Sequence, residues 1–196
     1  MRKLSAIISD FDDTLFFNKD SISMAAQEVY DSFKNKKDTE NYERIMKGLE
    51  TAIVEGKVPK GFEKPIKTYI YNLAYIKYSD KLIPNKPLIN YLNDIKDENT
   101  EMIIMSARGE EFRHKTEEAL LSNNLRFDKV ILPKDHDLKD EHWKFVKLNE
   151  MADNYFHILF LEDKEKNIKY IMEHIKSDNI DFYLVSGKTL RYIPYR

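Results

Sequence analysis

Short apolar runs recur along the chain, and several stop abruptly at acidic or small polar residues. Residues 4–9, Leu-Ser-Ala-Ile-Ile-Ser, lead straight into Asp10, as a buried parallel strand does where its carboxyl end meets solvent. Comparable runs follow at 102–105, 130–132, 158–161 and 182–185. Five such strands predict one sheet. Between them the spacing turns helical: Leu88, Tyr91, Leu92 and Ile95 share one face of a helix that Pro87 opens. Residues 110–123, 140–152 and 165–176 predict further helices, the second capped by Asp140 and the third following Glu162 and Asp163. Strands alternating with helices predict an α/β fold on a doubly wound parallel sheet, whose ligands gather at the strand carboxyl ends.

Residues 17–82 break the alternation. Their periodicity predicts helices at 21–35, 40–55 and 61–78, with Gly56 and Pro59 punctuating the last gap. The expected organisation is therefore an α/β core from 1–16 and 83–196 with an all-helical insertion at 17–82. No internal repeat or low-complexity tract is visible. A chain of 196 residues suits one core with a modest insertion.

Charge and composition narrow the function classes. Lys and Arg total 32 against 34 Asp and Glu, a formal charge of −2, so no global field advertises nucleic acid or a membrane. Cysteine is absent, which removes disulfides, thiolate metal sites and a cysteine nucleophile together and makes the cytoplasm the default location. The apolar stretch after Arg2 and Lys3 ends at Ser9, too short for a signal h-region. Nowhere do apolar residues run for the roughly 20 positions of a membrane helix.

The chemistry concentrates at Asp10-Phe11-Asp12-Asp13-Thr14-Leu15, directly after the first strand. Asp10 and Asp12, two residues apart, project toward one pocket from a strand end. Packing carboxylates without a cation is costly, and a hard, oxygen-liganded ion such as Mg²⁺ is the natural neutraliser that also holds a phosphate oxygen. Phosphoryl transfer needs that electrostatic arrangement.

The segment resembles the first motif of the haloacid dehalogenase (HAD) superfamily, Asp-x-Asp-x-Thr after an apolar strand. The resemblance implies a Rossmann-like core with a helical cap at 17–82, Asp10 as the nucleophile that forms an aspartyl-phosphate, and Asp12 as general acid and base. It also implies an Asp12 backbone carbonyl in the metal shell. Ser106, after the strand at 102–105, resembles the second motif and would hydrogen-bond the phosphoryl group. Arg108, two residues on, is a candidate for gripping substrate phosphate through a bidentate contact, or else an exposed surface cation. Asp163 resembles the fourth motif and would ligate Mg²⁺ with Asp10 and Asp12. Glu162 stands where relatives commonly carry Gly or Asp, and is either an outer acceptor for metal-bound water or a helix-start acid.

For the third-motif lysine, Lys144 is the first candidate, because Trp143-Lys144 resembles members with an aromatic-Lys pair. Lys139 is the second, with Lys134 and Lys147 behind it. The tyrosines at 69, 71, 75 and 78 read as packing at helical spacing. The lysines at 60, 64 and 67 read as a solvated face. His114, His136, His142, His157 and His174 form no zinc pattern. The expected activity is hydrolysis of a small phosphorylated metabolite or nucleotide, with no membrane partner. The alternative is a nucleic-acid 3′-phosphatase, since Ser106-Ala-Arg108, the aromatic-Lys pair and Glu162-Asp163-Lys164 also resemble end-repair phosphatase domains.

Overall fold

The structure, a computed structural model, describes residues 4–37, 39–134 and 138–194. It divides into two compact units, one built from Met1–Phe16 and Pro84–Arg196 and the other from Phe17–Ile83. Strand β1 (Ser5–Ser9) is followed by a tight turn and the two-residue β2 (Phe16–Phe17). Then come α1 (Lys19–Phe33), α2 (Tyr42–Glu55) and α3 (Lys64–Asn72). The chain returns through β3 (Ile83–Pro84), which pairs with β2. After it come α4 (Lys86–Ile95), β4 (Thr100–Met105), α5 (Arg113–Ser122), β5 (Lys129–Ile131), α6 (Asp140–Ala152), β6 (Ile158–Glu162), α7 (Glu165–His174), β7 (Ile180–Ser186) and β8 (Thr189–Ile193).

The main sheet has the order β5-β4-β1-β6-β7-β8. All pairings are parallel except β7 with β8, so the α/β architecture is as expected, with an antiparallel edge strand added. The chain winds outward from β1 through β4 to β5, then crosses back to β6. That reversal makes the carboxyl end of β1 a topological switch point, where open α/β sheets take their ligands. Ser9 pairs with Ile104 on one side and Leu161 on the other, which brings the ends of three strands level.

Burial follows the period of two. Ala6 and Ile8 of β1, Ile103 and Met105 of β4, and Ile158 and Phe160 of β6 pack with Trp143, Leu148 and Ala152 of α6 and with Ile168 and Ile171 of α7. Ile7, Met102 and Ile104, of opposite parity, are buried as well, so both faces are covered, as an all-parallel centre requires. Each fully buried Ile or Phe of this kind stabilises the fold by about 1.5–3 kcal/mol.

The helical unit buries one stripe from each of its longer helices: Ile22, Ala25, Ala26 and Val29 from α1, and Ile45, Met46, Leu49 and Ala52 from α2. Gly56 ends α2 at φ +65°, and a Cβ there would stand 2.7 Å from the Lys19 backbone, so glycine is required twice over. The predicted helix at 61–78 is not continuous. It runs as α3 to Asn72, widens into a π turn at Leu73–Lys77 and closes with a 3₁₀ turn at Ser79–Lys81. Tyr75 is buried in that turn with Tyr71 stacked on it, and Glu28 accepts from Lys77 Nζ and Tyr78 Oη, both at 2.5 Å.

Candidate active site

The pleat of two neighbouring strands and the stripe of one helix build the site. Asp10 has the parity of Ala6 and Ile8, and Glu162 that of Ile158 and Phe160, so both carboxylates continue rows that face α6. On α6, Lys144 lies one turn before Leu148 and two before Ala152, on the stripe buried against the same rows. A lysine on an apolar stripe must find carboxylates, and it does. Lys144 Nζ donates to Asp10 Oδ1 at 2.9 Å and to Glu162 Oε2 at 2.6 Å, and it lies 3.3 Å from Asp140 Oδ1. Lys144 and Glu162 are both fully buried and Asp10 nearly so.

Asp140 is not the cap of α6. Lys139 holds the N-cap position, and the Asp140 carboxylate instead turns toward Lys144 and accepts from Lys164 Nζ and Asn167 Nδ2 at 3.0 Å each. Glu162 is the last residue of β6, and its Oε1 accepts the Lys164 N–H at 3.0 Å. Lys139 and Lys134 are exposed, and Lys147 pairs with Glu150 on the surface. Of the four candidate lysines, Lys144 is the one brought to Asp10.

Charge is unevenly distributed over this cluster. Burial drives the Asp10 carboxyl up to about 7, with Lys144 only partly countering it. Burial and then the Asp10 and Glu162 charges push Asp163 up to about 9. Against its own burial, Glu162 is held below the ordinary range by Lys144. Lys144, equally against burial, is held well above its usual value by Asp10, Glu162 and Asp140. Two carboxyls pushed upward by burial and by neighbouring carboxylate charge mark a site short of positive charge. One oxygen each from Asp10, Glu162 and Asp163 lies within 4.8 Å of the others, and Asp163 Oδ1 is buried without a hydrogen-bond partner. An all-oxygen set of this kind fits a hard divalent cation. Both Glu162 oxygens are already engaged, so Asp10 and Asp163 are the better placed ligands.

Asp12 lies in the turn after β1. Asp13 adopts φ +58°, a conformation that Asp tolerates better than most residues. Leu15 and Phe16 N–H both donate to the Phe11 carbonyl at 3.0 Å. Asn85 secures this turn, giving its N–H to Leu15 O and its Nδ2 to Thr14 O and Gly187 O. The Asp12 carboxylate is not a member of the acid cluster and accepts two bonds from Arg108, Nε to Oδ2 at 2.8 Å and Nη2 to Oδ1 at 2.6 Å. Arg108 is buried rather than a surface cation, with its guanidinium carbon 4.3 Å from the centroid of Phe11, which stacks on Phe16. Ser106 is buried at the end of β4, where its Oγ accepts the Arg108 N–H at 3.3 Å.

Thus Asp10, Lys144, Glu162 and Asp163 form one cluster, and Asp12, Arg108 and Ser106 form the wing beside it. Sequence reasoning gave Asp140 a capping role only, although its spacing of four from Lys144 is a usable signal for the ion cluster. Among the described residues no histidine joins the acid cluster; His136 lies outside them.

No family model and no curated protein matches the chain. Solved structures match its fold. A chain of the Pnkp1/Rnl/Hen1 RNA repair complex superposes with a TM-score of 0.56 at 16% identity, over 93% of this chain but only 42% of its own length. A hydrolase from Streptococcus pneumoniae TIGR4 gives 0.55 at 15% identity, covering 94% of both chains. A HAD-superfamily hydrolase of subfamily IA from Geobacter sulfurreducens PCA gives 0.55 at 15% identity, over 91% of this chain and 85% of its own. The chain has the fold of the haloacid dehalogenase-type hydrolases.

Proposed function

We propose that the protein is a Mg²⁺-dependent phosphomonoester hydrolase that works through an aspartyl-phosphate on Asp10. The observation that carries this is the buried Asp10–Lys144–Glu162 ion cluster at the switch point of the sheet, with Asp163 beside it. An Asp10 oxygen bonds to phosphorus as the bond to the leaving oxygen breaks, and Asp12 gives that oxygen its proton. Water then adds to phosphorus, Asp12 takes its proton, and the bond to Asp10 breaks to return the carboxylate and inorganic phosphate. Lys144 favours the ionised form of Asp10 against its burial and fixes its direction. Mg²⁺ held by Asp10 and Asp163 would supply positive charge to a phosphoryl oxygen. Ser106 and Arg108 provide donors for the remaining oxygens.

The helical unit at Phe17–Ile83 is proposed as a cap selecting small substrates, on the strength of its insertion directly after the Asp10–Leu15 turn. A sugar phosphate or mononucleotide is then the expected substrate. The likeness to an RNA repair complex component supports a second reading, a 3′-phosphorylated nucleic-acid end. Phosphate release from sugar phosphates, nucleotides and 3′-phosphorylated oligonucleotides, with and without Mg²⁺, tests both. Turnover of small monoesters only with the metal is expected. An efficiency about tenfold higher on the oligonucleotide, falling steeply with salt, would move the function to nucleic acid.

Asp12→Asn separates the two acid roles. Its loss on alkyl phosphates is expected to exceed that on aryl phosphates by about 10²-fold, because a phenolate leaves without needing a proton. Equal losses on both substrate types would remove Asp12 from leaving-group protonation.

A further inference from the structure

The Arg108–Asp12 pair bears on how the site accepts its substrate. Arg108 presents the paired donors Nε and Nη2 to a single carboxylate, and its side chain is 1% exposed against 17% for that of Asp12. The phenyl ring of Phe11 lies against the guanidinium, and Phe16 backs Phe11 at 4.7 Å, so the fork is fixed in direction while its partner is the more accessible member. Carboxylate and phosphoryl oxygens suit such a fork equally well and cannot occupy it together. Arg108 stands two residues beyond Ser106 at the end of β4, and β4 pairs in register with β1. The fork therefore belongs to the strand end that carries Asp10.

On the phosphohydrolase reading above, we propose that Arg108 is a shared clasp on which Asp12 and the substrate's phosphoryl group take turns. Asp12 holds the fork before substrate arrives. Phosphoryl oxygens displace it, and the Asp12 carboxylate, free of the guanidinium, takes up a solvent proton and turns toward the leaving group as the substrate is seated. Asp12 is thus a built-in competitor of phosphate, and the competition is reciprocal: whatever weakens Asp12 on the fork strengthens phosphate there.

Calorimetric titration with inorganic phosphate in the presence of Mg²⁺ tests this on the full chain, with folding of each variant checked by thermal melting. Asp12→Ala is expected to bind phosphate about tenfold more tightly than the unaltered protein. Arg108→Lys keeps the charge but loses the fork, and in that background Asp12→Ala should gain less than about twofold. An equal gain in both backgrounds would mean that Asp12 acts only as a repelling charge, which overturns the clasp and leaves the hydrolase standing. If Asp12→Ala does not fold, Asp12→Asn serves, with a gain of about threefold expected because one acceptor remains; no gain overturns the clasp. Failure of the unaltered protein to bind phosphate at millimolar concentration would instead overturn the hydrolase reading, and the clasp with it.

Discussion

Asp10→Asn is expected to lower phosphate release by roughly 10⁴-fold or more, since the amide has nearly the shape of the carboxylate but is no nucleophile. The fold should survive. Asp10 is held by its backbone N–H to Leu161 O at 2.9 Å, which the substitution leaves in place, and the amide oxygen still accepts from Lys144. Steady-state kinetics beside a thermal melt measure both effects. Activity within tenfold of the unaltered protein would remove Asp10 from the nucleophile's place.

Lys144→Met should damage both stability and activity. The thioether fills much of the same volume but leaves Asp10, Glu162 and Asp140 facing one another without the ammonium that all three approach. Breaking a buried ion pair from one side costs about 3–5 kcal/mol, which for a chain of this size is a fall of about 10 °C in Tm. Turnover should drop by roughly 10³-fold, as when a charge aimed at the reacting group is lost. Adding Glu162→Gln removes one stranded charge and should recover part of the stability but none of the turnover. Lys139→Ala, at an exposed position outside the cluster, should melt and turn over like the unaltered protein. A Lys144→Met protein that keeps its activity would dissolve the cluster's catalytic role.

The strands that position the site were legible because buried parallel strands are continuous apolar runs, and the runs ending at Ser9, Met105 and Leu161 stop where polar side chains begin. Strand β8 was not. Thr189, Leu190, Arg191 and Tyr192 are exposed along an edge, so burial imposes no apolar run there, and the strand exists because β7 offers it a ladder. The choice among the four lysines was legible in part. Leu148 and Ala152 put Lys144 on the buried stripe, whereas Lys139 precedes the helix and Lys147 falls off that stripe. Glu162 was harder to read, because its role depends on Lys144 reaching it from 18 positions away. The pairing of Arg108 with Asp12 spans 96 positions and depends on β4 lying beside β1, which no local spacing expresses.

The neighbour of Lys144 gives the molecule an optical handle. Trp143 is the sole tryptophan, nearly buried among the apolar rows that end in Asp10 and Glu162. All indole emission therefore originates one residue from the ammonium at the centre of the acid cluster. Occupancy of the site by a cation or a phosphate is expected to change that native emission, which a titration reads without a label and without a coupled assay.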